Sequence, residues 1–170
     1  MTIVSFYSRL WLGHPRNRPR LPAQGYIKMF NSKKPLGVAA LTALLTALSA
    51  EAGDLRVHLL GIETTQGQVQ VALFADEQTF ESSQPTNRAK TPAHVNDVWV
   101  TFEDVAPGRY GISAFHDVNS NEKLDTSFVG LPKEPYGFSQ NARGKFGPPS
   151  FTAISFEVES EPQSVEINLR

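Results

Sequence analysis

The sequence predicts an all-β fold: a single antiparallel β-sandwich of the immunoglobulin/transthyretin-like kind, carrying one long ordered loop. Three observations predict it. Apolar residues alternate with period two in six short runs, polar turns separate those runs, and residues 53–170 contain no sustained 3.6-residue stripe. A segment of that length is large enough to bury one core.

The runs follow one another along the chain. Leu55, Val57 and Leu59 form the first and Val69, Val71 and Leu73 the second, joined through Thr64-Thr65-Gln66-Gly67. Residues 76–95 are polar, with Pro85 and Pro92, and read as a connecting excursion. Val98, Val100 and Phe102 form the third run, with Trp99 and Thr101 on its opposite face. After the Ala106-Pro107-Gly108 turn come Tyr110, Ile112 and Ala114. A Tyr opening such a strand can fold its hydroxyl back onto the preceding loop, as in a tyrosine corner. Ile154, Phe156 and Val158 make the fifth run; Glu161-Pro162-Gln163 turns the chain into Val165, Ile167 and Leu169.

The first 52 residues read as an address. From Met29 a short basic start (Lys33, Lys34) leads to an uncharged stretch over 36–50 and then to Ala50-Glu51-Ala52. Those are the three parts of a secretory signal peptide, with cleavage between Ala52 and Gly53. The apolar stretch is short for a permanent span. Residues 1–28 precede a complete signal and read as a mis-called upstream extension, with translation starting at Met29. Export places the product in the periplasm or outside the cell. The absence of cysteine excludes disulfides, thiolate metal sites, cysteine nucleophiles and a lipidated N-terminal cysteine. Residues 53–170 hold 9 basic and 16 acidic residues, a balance that argues against a nucleic-acid partner.

Between His116 and Phe151 no alternation is visible, and a loop of that length, 117–150, is unusual in a compact domain. Phe128, Leu131, Tyr136, Phe138, Phe146 and Phe151 are expected to anchor it. Its opening places Asp117, Asn119, Asn121 and Asp125 at positions one, three, five and nine of a calcium-type loop, with the Lys123 carbonyl at seven. Position six is Glu122 where glycine is usual, and position twelve is Phe128 where a bidentate Glu is usual. Any calcium affinity is therefore expected to be weak. The same residues equally suit a metal-free ladder of Asx turns.

The run His116-Asp117-x-Asn119-x-Asn121-x-x-Leu124-Asp125, followed by Gly130-Leu-Pro132-x-Glu134-Pro-Tyr136-Gly137-Phe138-Ser139 and Phe146-Gly147-Pro148-Pro149-Ser-Phe151, resembles the signature of domain of unknown function 2141. That family comprises small exported bacterial proteins. The resemblance extends over essentially all of 53–170 and implies export and a β-sandwich, with no particular activity.

Functionally, these features describe a binding or accessory module more than an enzyme. No G-x-S-x-G occurs and no histidines share ligand spacing, so no catalytic residue is assigned. The expected partner is a protein or another cell-envelope ligand, met by a surface containing His116, Glu134, Tyr136 and Phe138, with no permanent membrane span after cleavage. A purely structural envelope protein is the alternative, and a hydrolase using His116 and neighbouring carboxylates the third reading. N-terminal sequencing of the exported product is expected to begin at Gly53. Recovery of a peptide covering residues 10–28 from the native precursor would contradict a start at Met29.

Overall fold

The structure is a computed structural model that describes residues 52–145 and 147–170. The expected upstream extension, the signal segment as far as Glu51, and Phe146 lie outside the described residues. The protein is mostly β, with two sheets. Strand β1 (Gly53–Leu60) sits at the centre of a three-stranded sheet between β4 (Val98–Val105) and β8 (Gln163–Asn168). The second sheet runs β3 (Asn87–Pro92), β2 (Gln68–Phe74), β5 (Gly108–Asp117), β6 (Tyr136–Phe138), and β7 (Phe156–Val158) pairs with the start of β5.

Period-two alternation is what joins the two sheets. Leu55, Val57 and Leu59 from β1, Val98, Val100 and Phe102 from β4, and Ile167 from β8 meet Val69, Val71, Leu73, Ile112 and Ala114 from the other sheet in one buried cluster. One pairing departs from the antiparallel expectation. β1 and β4 are antiparallel, but β1 and β8 are parallel, with Val57 opposite both Val100 and Val165. A parallel neighbour needs a long crossover, and the whole remainder of the domain supplies it.

Within the second sheet β2 and most of β5 are buried on both faces, which alternation alone does not reveal. Ala72 and Phe74 of β2 and Phe115 of β5 point away from the shared core and join Phe80, Leu124, Phe138, Phe151 and Ile154 in a second buried cluster. Two short helices close it. The polar 76–95 segment holds α1 (Glu77–Glu81), which starts in a capping box: Asp76 Oδ1 accepts the Thr79 N–H at 2.7 Å and Thr79 Oγ1 accepts the Asp76 N–H at 3.3 Å. Its Phe80 meets Phe74, Phe138 and Phe151 with ring centroids 5.2, 6.2 and 6.1 Å apart. The same segment also contains β3, so it is structured rather than a mere connection. The Ile154 end of the expected fifth strand is instead α2 (Phe151–Ile154), N-capped by Ser150. It lies so close to β5 that a Cβ on Gly111 would stand 2.7 Å from Ile154 Cδ1.

Two further contacts were foreshadowed by sequence or close the fold. The Tyr110 hydroxyl donates to the Ala106 carbonyl at 3.0 Å, across the Pro107-Gly108 turn. Beyond β8, Arg170 and Tyr136 exchange backbone hydrogen bonds of 3.1 and 3.2 Å, tying β6 to the end of the chain. Phe80→Ala removes the centre of the second cluster and is expected to cost about 3–5 kcal/mol in urea unfolding. Tyr110→Phe, losing one exposed hydrogen bond, is expected to cost about 1 kcal/mol or less.

Candidate functional site

The site grows from the end of β5. Sheet register sets Asp117 opposite Gln68 of β2, on the face away from the shared core. The Asp117 side chain is fully buried. Its Oδ2 accepts Gln68 Nε2 at 3.0 Å, Gln70 Nε2 at 2.9 Å and the Glu122 N–H at 2.8 Å, while Oδ1 accepts the Asn121 N–H at 3.0 Å. Four N–H donors thus compensate for the water this carboxylate has lost. On the neighbouring turn, a Cβ at Gly67, whose φ is +73°, would stand 2.0 Å from the Asp117 carbonyl oxygen. Only glycine permits that approach.

The turn that follows is an Asx ladder. Asn119 Oδ1 accepts the Asn121 N–H at 3.1 Å, and Asn121 Oδ1 accepts the Lys123 N–H at 2.8 Å. The amide groups of Asn119 and Asn121 donate to Asp125 Oδ2 and Oδ1 at 2.8 and 3.1 Å. Glu122 takes the left-handed conformation, φ 62°, although it is not glycine, and its carboxylate pairs with Lys90 at 2.6 Å. The four side chains predicted to hold calcium are therefore gathered into one turn, with their oxygens directed at N–H groups. Among the described residues no group of three or more His, Asp or Glu side chains converges as a metal site.

Glu134 closes the segment from the other side. It is buried, and its two oxygens accept the Val118 N–H at 3.0 Å and the Asp125 N–H at 2.9 Å. Burial pushes its carboxyl above the ordinary range; the two backbone N–H bonds oppose the rise, and the nearby Asp125 and Asp117 carboxylates add to it.

Between these anchors residues 126–132 fold back as a small hairpin bend. Thr126 and Pro132 form a bridge; the Ser127 N–H donates to the Leu131 carbonyl at 2.7 Å, the Gly130 N–H to the Ser127 carbonyl at 2.9 Å, and the Leu131 N–H to Ser127 Oγ at 3.1 Å. At its tip Phe128 is 99% exposed, with Val129 and Leu131 also exposed.

Of the residues predicted for a partner surface, His116, Glu134 and Phe138 are buried and Tyr136 is half-buried. Phe138 is buried in the second cluster, Tyr136 packs against that cluster, and both belong to β6 rather than to an irregular loop. His116 is buried too, with Nε2 donating to the Gln66 carbonyl at 2.7 Å. His116 and Asp117 are thus both buried, with the imidazole nitrogen and the carboxylate oxygens engaged by protein partners. Phe128 and Leu131, expected as anchors, point outward instead. Trp99, placed by alternation on the face opposite the core, is exposed and engaged by its neighbours. It stacks on His58 at 4.1 Å, donates from Nε1 to Asp97 Oδ1 at 2.9 Å, and has Arg56 Cζ 5.2 Å from its ring centre.

The family described as "Uncharacterized protein conserved in bacteria (DUF2141)" matches residues 57–166, from β1 into β8. The chain belongs to this family. No curated protein and no solved structure matches it. The matched span of this DUF2141 member takes in Asp117, Glu134 and the apolar tip.

Asp117→Ala leaves four donors without their acceptor and is expected to cost about 3 kcal/mol or more in urea unfolding. Glu134 has a pH signature. A carboxyl whose folded pKa is raised contributes stability that is fully present below the unfolded pKa and is lost as pH rises through the folded value. Wild type is therefore expected to gain stability relative to Glu134→Gln as pH falls from neutral toward the ordinary carboxyl range, read as the difference between their melting temperatures.

Proposed function

We propose that this DUF2141 protein is an exported binding or accessory module, a β-sandwich of the immunoglobulin/transthyretin-like kind. It works through the apolar tip of its 117–135 segment rather than through Tyr136 and Phe138. The leader supports export, and cleavage after Ala52 would leave β1, which begins at Gly53, intact. Among the described residues no helix is long and apolar enough to cross a membrane.

The observation that carries the reading is a fully exposed Phe128 on a bend fixed by three hydrogen bonds and a bridge. Exposed apolar residues scattered singly are ordinary, whereas a contiguous apolar tip marks a contact surface. Behind it, two buried carboxylates hold the loop, so little conformational entropy remains to be lost on contact. Trp99 is the weaker candidate because its own ring stack and hydrogen bond already occupy it. A photo-crosslinking residue at position 128 in producing cells is expected to form an adduct that the same residue at the exposed Ser164 does not. Equal labelling at both positions would end this reading.

A weak calcium site at Asp117, Asn119, Asn121, the Lys123 carbonyl and Asp125 is the second reading. It is favoured by the left-handed Glu122 at the position where a calcium loop turns sharply. We read the loop as closed by its own hydrogen bonds. Thermal unfolding is then expected to give the same midpoint in chelator and in millimolar calcium. A rise that Asp117→Ala removes would select calcium.

A further inference from the structure

We propose that the occupant of the 126–132 tip is a lipid bilayer surface: Phe128, Val129 and Leu131 enter the acyl boundary while Lys123 and Lys133 stand at the level of anionic headgroups. The inference rests on the tip being the contact surface and adds the chemistry of what it contacts. Three features of the tip point to lipid.

The first is its shape and composition. Its three exposed apolar side chains, Phe128, Val129 and Leu131, flank Gly130, whose φ is +82° and which turns the chain back. The second is the state of its backbone. A chain meeting an apolar medium keeps its amide groups satisfied internally where it can; here the N–H groups of Ser127, Gly130 and Leu131 donate inside the bend, which leaves the Phe128 and Val129 amides to the headgroup layer. The third is charge. Residues 53–170 carry 9 basic against 16 acidic residues, yet the chain on either side of the tip presents lysines. Lys123 and Lys133 are both exposed, and neither pairs with a carboxylate among the described residues. Asp125 between them is half-buried and takes up the Asn119 and Asn121 amides. A lysine stem can lie along the apolar boundary while its ammonium stays in the headgroup layer, where it is attracted to anionic lipid.

The test uses the protein as exported, beginning at Gly53, and compares variants, so that no apolar leader contributes to partition. Phe128→Trp places a fluorophore at the tip itself, read against the wild type with its own Trp99. On phosphatidylethanolamine/phosphatidylglycerol vesicles its emission is expected to shift to the blue and to be quenched by brominated acyl chains beyond the wild-type background. Phe128→Ser is expected to lower the vesicle partition coefficient about tenfold or more. Its melting temperature should not change, since the side chain packs against nothing. Lys123→Gln combined with Lys133→Gln is expected to weaken binding to vesicles containing phosphatidylglycerol and leave binding to pure phosphatidylcholine unaltered. Emission of the Phe128→Trp form that stays water-like, with no added quenching, overturns the lipid assignment. If the crosslinker at position 128 then captures a protein, the tip remains a contact surface and only its occupant was misassigned. If it captures nothing, both readings fall.

Discussion

The arrangement of this protein's loop depends on one buried carboxylate. Asp117 ends β5 with no solvent contact, and a carboxylate removed from water there must find protein donors. It takes side-chain amides from Gln68 and Gln70 and backbone amides from Asn121 and Glu122. The first pair locks the carboxylate to β2, and the second forces the chain leaving the sheet to curl back at once. That curl makes the Asx ladder, admits the left-handed Glu122, and brings Asp125 to where Glu134 can receive its amide. Sheet register and loop geometry therefore meet at one residue.

A consequence is the way apolar side chains divide between inside and outside. With β2 and β5 buried on both faces, the long segment has an apolar surface of its own to cover. It spends Leu124, Phe138 and Phe151 on that task. The bend at 126–132, tied at its base by Asp125 and Glu134, is carried clear of the cluster, so Phe128 has nothing to pack on. Exposure of the tip thus follows from rigid anchoring behind it. A loosely held loop of the same composition would be free to collapse onto the sheet and bury its phenylalanine.

Much of the first core was legible in the sequence because alternation reports one face of a strand at a time. Val69, Val71 and Leu73 announced their inward direction correctly. What alternation could not report was the other face of β2, where Gln70, Ala72 and Phe74 are buried as well. A nearly unbroken apolar run such as Val71-Ala72-Leu73-Phe74 was the available signal of double burial. The fifth run misled at Ile154 because Ile154, Phe156 and Val158 share a spacing but not an element: the first serves the second cluster from α2, the last the shared core from β7. At the loop, the Asp/Asn spacing identified the turn-forming residues. It could not supply Gln68 and Gln70, which reach Asp117 from nearly fifty residues away in sequence through β2–β5 register. Nor could it separate the phenylalanines that anchor from the one that protrudes, since both kinds have the same chemistry and differ only in what the fold sets beneath them.

Protein donors gathered on Asp117 and Glu134 hold the loop in its presenting shape. Amide hydrogen exchange, followed residue by residue in excess chelator, tests it most directly. The Val118, Asn121, Glu122 and Asp125 amides all donate to these two carboxylates. They are expected to exchange far more slowly than an unstructured chain, and to lose that protection together in Asp117→Ala while the β1 and β4 amides keep theirs. Exchange of the same four amides at the unstructured rate in chelator, with protection appearing only on adding calcium, would contradict the claim and give the loop to the metal.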